Sequence, residues 1–237
     1  MKYKMNAVAI ILASGSGQRF GTKSVLKHLT PILGVPIIVW TLRSAILSNI
    51  FSSIIVVTRE NDIHKTEEIY SEYFSDNIST IRITKGSNKR IQSFFCGLDD
   101  LIRTNAIVTL LDANRPFTPL KQLNDLYNAA LQFGCSCPAR PVVDGVAHIE
   151  SNRIIDVPDK SSYVEFVTPE FIQFRLLRTS REKFNEGFNS IVEYALAIGS
   201  RPMTIKASSF NTKLTFPEDK TYLDGLALEN HLDKPYK

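Results

Sequence analysis

Ala7-Val8-Ala9-Ile10-Ile11-Leu12-Ala13-Ser14-Gly15-Ser16-Gly17-Gln18-Arg19-Phe20-Gly21 is the stretch that decides the fold. Its first six residues form an unbroken apolar run, and a Gly/Ser-rich loop follows at once. That succession reads as the first buried strand of an α/β domain, with the loop at the strand's carboxyl end. Small residues leave backbone N–H groups open to an approaching phosphate. Arg19 and, eight residues later, Lys27 add positive charge. The local chemistry is that of a nucleoside triphosphate site, although the same stretch read alone is also an ordinary strand-to-helix turn.

Two common phosphate loops are excluded by spacing. A Walker A loop needs Gly, four residues, then Gly-Lys-Ser/Thr. The positions that would complete it from Gly15 and Gly17 hold Phe20 and Thr22. A dinucleotide fingerprint needs a third glycine where Phe20 stands, and an acidic residue about 20 positions on. No Asp or Glu occurs between Arg19 and Glu60. A loop this basic suits a polyphosphate better than NAD.

The chain has 237 residues, enough for one full core with an appendage. Apolar residues at 43% and charged residues at 22% fit a soluble globular protein. No apolar run reaches the roughly 18 residues of a membrane span. Met1-Lys2-Tyr3-Lys4-Met5 leads into a strand, not a signal-peptide core, so the expected location is the cytoplasm. Cys96, Cys135 and Cys137 form neither a disulfide framework nor a zinc site and read as reduced thiols. The net charge of +4 is not gathered into one run, so a nucleic-acid partner is not expected.

Strand and helix patterns alternate through the first 135 or so residues. Ser53–Thr58, Thr80–Thr84 and Ala106–Leu111 read as strands. Ile37–Ser48 (with Pro36 as its first-turn proline), Asp62–Phe74, Arg90–Ile102 and Leu120–Phe133 read as helices. This predicts a Rossmann-like α/β fold: a mostly parallel sheet with helices on both faces. After Pro138 the pattern breaks into short β-like pieces, including Pro141-Val142-Val143 and Val146-Ala147-His148-Ile149. Residues 139–166 are therefore expected to be an inserted β-arm in a single domain spanning 1–237. A two-stranded ribbon is marginal alone, so another copy of the chain is the expected support. The helix-and-strand rhythm resumes over Glu170–Leu177, Ile191–Ile198 and Met203–Ala207.

Asp112 ends a buried strand, where an open parallel sheet meets its ligand. A carboxylate facing a triphosphate needs a cation between them, and Mg²⁺ held by one carboxylate plus phosphate oxygens supplies it. As a plain structural residue, Asp112 would cap a turn. Lys85-Gly86-Ser87-Asn88-Lys89-Arg90-Ile91-Gln92-Ser93 is a second Gly/Ser loop, with Arg90 and Ser93 one helical turn apart. It could hold a base or ribose. His28, His64, His148 and His231 lack metal-ligand spacing.

Together these motifs resemble the cytidylyltransferases that activate polyol phosphates, the 2-C-methyl-D-erythritol 4-phosphate and ribitol-5-phosphate enzymes. The likeness runs from about residue 6 to 225. It includes Leu12–Gly21 with Lys27, Gly86 with Arg90 and Ser93, and Asp112-Ala113-Asn114-Arg115-Pro116-Phe117. Pro141-Val142-Val143-Asp144, Thr168-Pro169-Glu170-Phe171 and Asn211-Thr212-Lys213-Leu214-Thr215 complete it. The eight-residue step from Arg19 to Lys27 is similar to the ribitol-phosphate branch.

The resemblance implies a dimer exchanging β-arms and a Mg²⁺-dependent reaction of CTP with a polyol or sugar phosphate. It gives Arg19, Lys27 and Lys213 the catalytic role on the triphosphate. Leu12, Ala13, Ser14, Gly15, Ser16, Gly17, Gly86, Arg90, Ser93 and Asp112 would bind the nucleotide. Asp112 would hold the metal, and Lys160 and Thr168 would lie near the acceptor. A CDP-polyol or CDP-sugar for surface polysaccharide is the leading expectation. The methylerythritol phosphate step of isoprenoid synthesis is the first alternative, and a non-catalytic nucleotide-binding protein the second.

The chain departs from the family pattern at several places. Leu26 stands where Pro usually precedes the loop Lys, and Ser14 replaces a small Gly/Ala. Lys160 replaces the arm Arg, exchanging a bidentate fork for a point charge. Glu170 replaces Gln, and the acidic residue before the last helix falls at Asn189-Ser190. Whether Asn189, Ser190 or Glu193 takes its place is left open by the sequence.

Overall fold

The structure is a computed structural model that describes residues 6–15, 17, 20, 26–74, 81–99, 106–178 and 187–229. Ser16, Arg19 and the start of the strand at Thr80 lie outside the described residues.

In chain order the strands are β1 (Ala7–Leu12), β2 (Pro31–Ile32), β3 (Val35–Pro36), β4 (Phe51–Thr58), β5 (Ile81–Lys85) and β6 (Ile107–Asp112). They continue as β7 (Cys135–Pro141), β8 (His148–Glu150), β9 (Arg153–Asp156), β10 (Val164–Phe166), β11 (Glu170–Gln173) and β12 (Met203–Lys206). The helices are α1 (Ile37–Leu47), α2 (Ile63–Tyr73), α3 (Arg90–Asp99), α4 (Leu120–Phe133), α5 (Phe174–Arg178), α6 (Ile191–Ala197) and α7 (Asp219–Glu229).

β1 lies at the centre of the main sheet, parallel to β4 on one side and β6 on the other. Its odd and even residues feed different cores. Ala7, Ala9 and Ile11 pack with side chains of α1, α2 and α4, while Val8 and Ile10 pack with α3 and α6. Burial on both faces explains why β1 is apolar throughout. β5 lies outside β4, so the chain winds outward from β1 to β5 and then returns to β6 on the other side. The direction of winding reverses at β1, which opens a crevice at the carboxyl ends of β1 and β6.

Beyond β6 the sheet continues with β11, β7 and β12. β11 runs antiparallel to both β6 and β7, and β12 parallel to β7. The sheet is thus mostly parallel with helices on both faces, as the sequence predicts. The Glu170–Leu177 stretch holds two elements: β11 and, without an intervening loop, α5. Pro36 stands one position earlier than expected, as the cap of α1.

The arm starts and ends inside the main sheet. Ala139–Pro141 belong to β7 and pair with Val164–Phe166 of β10. Val142 and Val143, read as β-like, are not in a strand, and the outer ribbon begins at His148. Beyond the sheet the chain projects as the β8–β9 hairpin, whose residues are all exposed. A third apolar cluster packs Leu223 and Ala227 of α7 against Ile32, Ile37, Trp40, Phe117 and Leu214. No described helix is long and apolar enough to cross a membrane.

Candidate active site

The crevice is a cleft of about 790 Å³. Leu12, Ala13, Ser14, Gly15 and Gly17 line one side, Gly86 and Arg90 another, and Asp112, Lys27 and Lys213 complete it. All ten were predicted to serve one ligand, and the fold brings them together. Ser16 and Arg19 lie outside the described residues.

The two Gly/Ser loops are joined from below. Ser93 is fully buried, and its hydroxyl accepts from Ser14 Oγ at 3.0 Å and from the Ser87 N–H at 3.0 Å. It donates in turn to the Ser87 carbonyl at 2.9 Å. Ser93 therefore positions both loops without lining the cleft. Gly86 is required by space: an added Cβ would meet the Ser14 and Val57 side chains at 2.9 Å. Gly17 has φ +66, a conformation open to glycine, and its α-carbon faces Lys27. The Lys27 ammonium stands 5.9 Å from the centre of the Phe20 ring and donates to the Thr215 carbonyl at 3.4 Å.

Asp112 is the hub. Oδ2 lies 2.7 Å from Lys213 Nζ and accepts from the Thr168 hydroxyl at 3.0 Å. Oδ1 accepts from Arg90 Nη2 at 3.2 Å, and Arg115 stands 3.7 Å from Oδ2. Burial by itself would raise the Asp112 carboxyl. Arg90, Lys213 and Arg115 outweigh it and hold the group well below the usual carboxylate range. Arg90 shows the complementary effect: burial opposes its charge, and Asp112 and Glu170 more than restore it. Glu170 meets only one of these cations, Arg90 at 3.5 Å, so burial prevails and its carboxyl is raised.

Lys213 reaches Asp112 because its segment is stitched to the loop after β6. Leu214 N–H donates to the Asn114 carbonyl at 2.9 Å, and the Asn114 amide returns a bond to Leu214. Arg115 donates to the Asn211 carbonyl at 2.7 Å, and Thr118 to the Asn211 side chain. The Asn211 amide then donates to the Thr168 carbonyl at 2.8 Å. Thr168 is thus placed at the metal-ligand candidate, with its hydroxyl committed to Asp112.

The donor set fits a single-carboxylate cation site. Each carboxylate oxygen can accept two ligands. Among the described residues, Oδ2 has Lys213 and Thr168, whereas Oδ1 has one hydrogen bond, from Arg90. One position on Oδ1 remains for a hard cation that takes its other ligands from phosphate and water. No cluster of three or more His, Cys, Asp or Glu side chains occurs among the described residues.

The cleft also contains residues whose individual roles the sequence did not assign. Arg59, Glu60, Asn61, Lys85 and Lys89 form its rim, and Lys85 pairs with Glu60 at 2.7 Å. Lys85 ends β5 and the others follow β4 or β5, so strand-end position was the usable signal. His28 lines the cleft, buried, and burial lowers it to about 4. Cys135 and Cys137 are buried and free, and burial pushes the Cys137 thiol up to about 12, which removes thiolate chemistry.

Lys160 is not at this cleft within the chain. It lies on the exposed arm, where its ammonium donates to the Val143 carbonyl at 2.7 Å. Of Asn189, Ser190 and Glu193, only Asn189 is shown against Arg90, and through its backbone: Arg90 Nη1 donates to the Asn189 carbonyl at 2.5 Å. Ser190 caps α6 and Glu193 accepts from the Asn189 N–H, so neither carboxylate nor hydroxyl faces Asp112 in these contacts.

Known proteins are similar to this chain over most of its length. A relative in Geobacillus thermodenitrificans, a 2-C-methyl-D-erythritol 4-phosphate cytidylyltransferase, is 28% identical over 226 residues, 94% of this chain and 97% of that one. A ribitol-5-phosphate cytidylyltransferase of Lactiplantibacillus plantarum is 24% identical, covering 89% of this chain and 94% of its own. The crystal structure of 4-diphosphocytidyl-2C-methyl-D-erythritol synthase from Anaerococcus prevotii shares the fold with a TM-score of 0.80 at 22% identity, over 95% of this chain and 97% of that one. The family model for 2-C-methyl-D-erythritol 4-phosphate cytidylyltransferase matches residues 7–226. The chain belongs to that cytidylyltransferase family, whose members are CTP-dependent nucleotidyltransferases.

Proposed function

We propose that the cleft binds CTP and transfers its cytidylyl group to 2-C-methyl-D-erythritol 4-phosphate, releasing pyrophosphate. The observation that carries this reading is Asp112 held among Arg90, Arg115 and Lys213 beside two Gly/Ser loops. The names of the relatives favour this acceptor over the surface-polysaccharide product that the sequence placed first. Ribitol 5-phosphate is the second reading, favoured by the Arg19-to-Lys27 spacing and by the Lactiplantibacillus relative.

The nucleophile is an oxygen of the acceptor phosphate, which attacks the α-phosphorus of CTP. The bond from that phosphorus to the bridging oxygen of the β-phosphate breaks, and pyrophosphate leaves. A phosphate monoester has a second pKa of about 6, so it is largely dianionic at neutral pH and needs no general base. The difficulty is holding polyanions together, and positioned cations meet it.

Lys27, beside Gly17, and Lys213, at Asp112, would meet the triphosphate, with Arg19 joining them by sequence. Mg²⁺, held by Asp112 Oδ1 and phosphate oxygens, would supply further charge neutralisation. Gly86 and Arg90 would border the cytidine, and Ser93 would fix the loops that receive it.

The whole chain, 1–237, is read as one nucleotidyltransferase domain acting in the cytoplasm. The arm, 139–166, is read as the contact of a homodimer. Exposed Ile149, Ile154, Ile155 and Val157 on or next to its hairpin support that contact. Lys160 then serves the neighbouring acceptor site, with Thr168 at the end nearest Asp112.

Pyrophosphate release from CTP, measured with each polyol phosphate in turn, tests the acceptor. The methylerythritol phosphate should give the highest kcat/KM. A higher value for ribitol 5-phosphate reverses the order of the two readings, and no release with either overturns both.

A further inference from the structure

Glu170 is only 2% exposed, and its carboxylate stands between two elements. Oε2 accepts from the Val192 N–H at 3.0 Å, at the start of α6. The other oxygen, Oε1, lies 3.5 Å from Arg90 Nη2. That same nitrogen donates to Asp112 Oδ1 at 3.2 Å. Arg90 Nη1 is engaged separately by the Asn189 carbonyl. One guanidinium nitrogen is thus shared by two buried carboxylates, and the other is tied to the backbone before α6.

The backbone bond to Val192 does not require a charge at position 170. A glutamine oxygen could accept it equally. α6 already has a cap in Ser190, whose hydroxyl accepts from the Glu193 N–H at 3.0 Å. Burying a carboxylate here is costly, and burial raises the group. Among the influences that favour the charge Arg90 is the largest, ahead of the Val192 and Ile191 N–H groups at the start of α6. An arginine facing a single carboxylate tends to close on it with both fork nitrogens. Here the second carboxylate and the Asn189 carbonyl hold the fork open, and the Arg90 side chain remains 31% exposed and lines the cleft.

We infer that Glu170 is a positioning residue of the nucleotide site: its charge holds Arg90 between itself and Asp112, with the guanidinium presented to the cleft instead of closed on Asp112. Glu170 acts through Arg90 and touches no substrate. The inference rests on the reading that this cleft binds CTP. It also links two features that looked separate in sequence, the Glu at 170 and the absence of an acid at Asn189-Ser190, because Arg90 contacts both places.

The test is a double-mutant cycle on the full-length protein. Glu170→Gln removes the charge and keeps the acceptor for Val192. CTP binding is measured calorimetrically in magnesium buffer for the wild type, Glu170→Gln, Arg90→Ala and the double variant, with thermal melting recorded without nucleotide. A repeat of the cycle with Arg90→Lys, which keeps charge but loses the planar fork, covers misfolding of the alanine variant. Glu170→Gln should melt within a few degrees of the wild type and weaken CTP binding about tenfold. In either Arg90 background it should add little further loss. Unchanged CTP affinity in Glu170→Gln, an equal loss with and without Arg90, or a collapse of its melting temperature each overturns the inference. Absence of CTP binding in the wild type overturns the underlying functional reading instead, and the inference with it.

Discussion

Lys213 Nζ lies 2.7 Å from Asp112 Oδ2, although 101 positions separate the two residues in the chain. The contact closes the cleft between the end of β6 and the segment before α7. It also shows how the site tolerates its own charge: one deeply buried carboxylate balances cations that would otherwise repel one another. Removing one partner of a buried ion pair typically costs about 3–5 kcal/mol, because the other charges are left uncompensated. Asp112→Asn should therefore lower stability by that order, measured by denaturant unfolding, and abolish turnover. Retained turnover in a folded Asp112→Asn protein removes Asp112 from the site.

Lys27 and Arg19 are assigned to the triphosphate from one loop. Loss of a single preorganised donor to developing charge typically costs about 2.7–4 kcal/mol, a rate loss of order 10²–10³. Lys27→Ala and Arg19→Ala should each show a kcat reduced by at least about 10²-fold, with an unchanged circular dichroism spectrum. Near-normal turnover in either variant takes that residue out of the catalytic set.

His28 gives a pH dependence of stability with a defined sign. Burial lowers it from 6.5 to about 4, opposed in part by Asp62. Between those values the unfolded chain takes up the proton first, so stability rises with pH. The contribution is complete above 6.5 and is lost as pH falls toward 4, about 3 kcal/mol in all. Denaturant unfolding at pH 7.5, 5.5 and 4.5 should show this slope, and His28→Gln should flatten it. Equal slopes in the two proteins would falsify the assignment of this limb to His28.

The arm carries its own expectation. Its apolar side chains are exposed in the single chain, and Lys160 is held there by the Val143 carbonyl. Sedimentation should give a dimer. Lys160→Ala should raise the acceptor KM and leave CTP affinity nearly unchanged, since a lysine offers one movable charge to a phosphate ester. A monomer, or a loss of CTP affinity in that variant, shows that the arm has another role.

The elements that were legible in sequence share a physical cause. β1, β4 and β6 are buried on both faces, so their apolar runs stand out. α4 is bounded by Pro119 and by Gly134 at φ +89, and both of its ends were readable. β7 was not, because Cys-Ser-Cys-Pro-Ala-Arg-Pro has little β preference and two prolines. β11 was hidden because four residues run straight into α5 with no turn signal.

In the site, the loops around Gly17 and Gly86 announce themselves by composition. The ring of cations around Asp112 does not, since Arg90 and Lys213 arrive from distant segments. The resemblance supplied Arg90 and Lys213 as residues of the nucleotide site, not as partners of Asp112, and the Asn114–Leu214 pairing explains how the fold delivers Lys213. In sequence Glu170 is only a departure from the family pattern, because its partner Arg90 is 80 positions earlier, and only the folded chain sets them 3.5 Å apart.

The most direct measurement follows the α-phosphorus itself. CTP labelled at that atom is incubated with the full-length protein, Mg²⁺ and 2-C-methyl-D-erythritol 4-phosphate, and the products are separated and weighed by mass spectrometry. The label should appear in a CDP-linked polyol, with one unlabelled pyrophosphate released per turnover. Label recovered only in CTP or as free CMP, with no diphosphate-linked product, contradicts cytidylyl transfer to this acceptor.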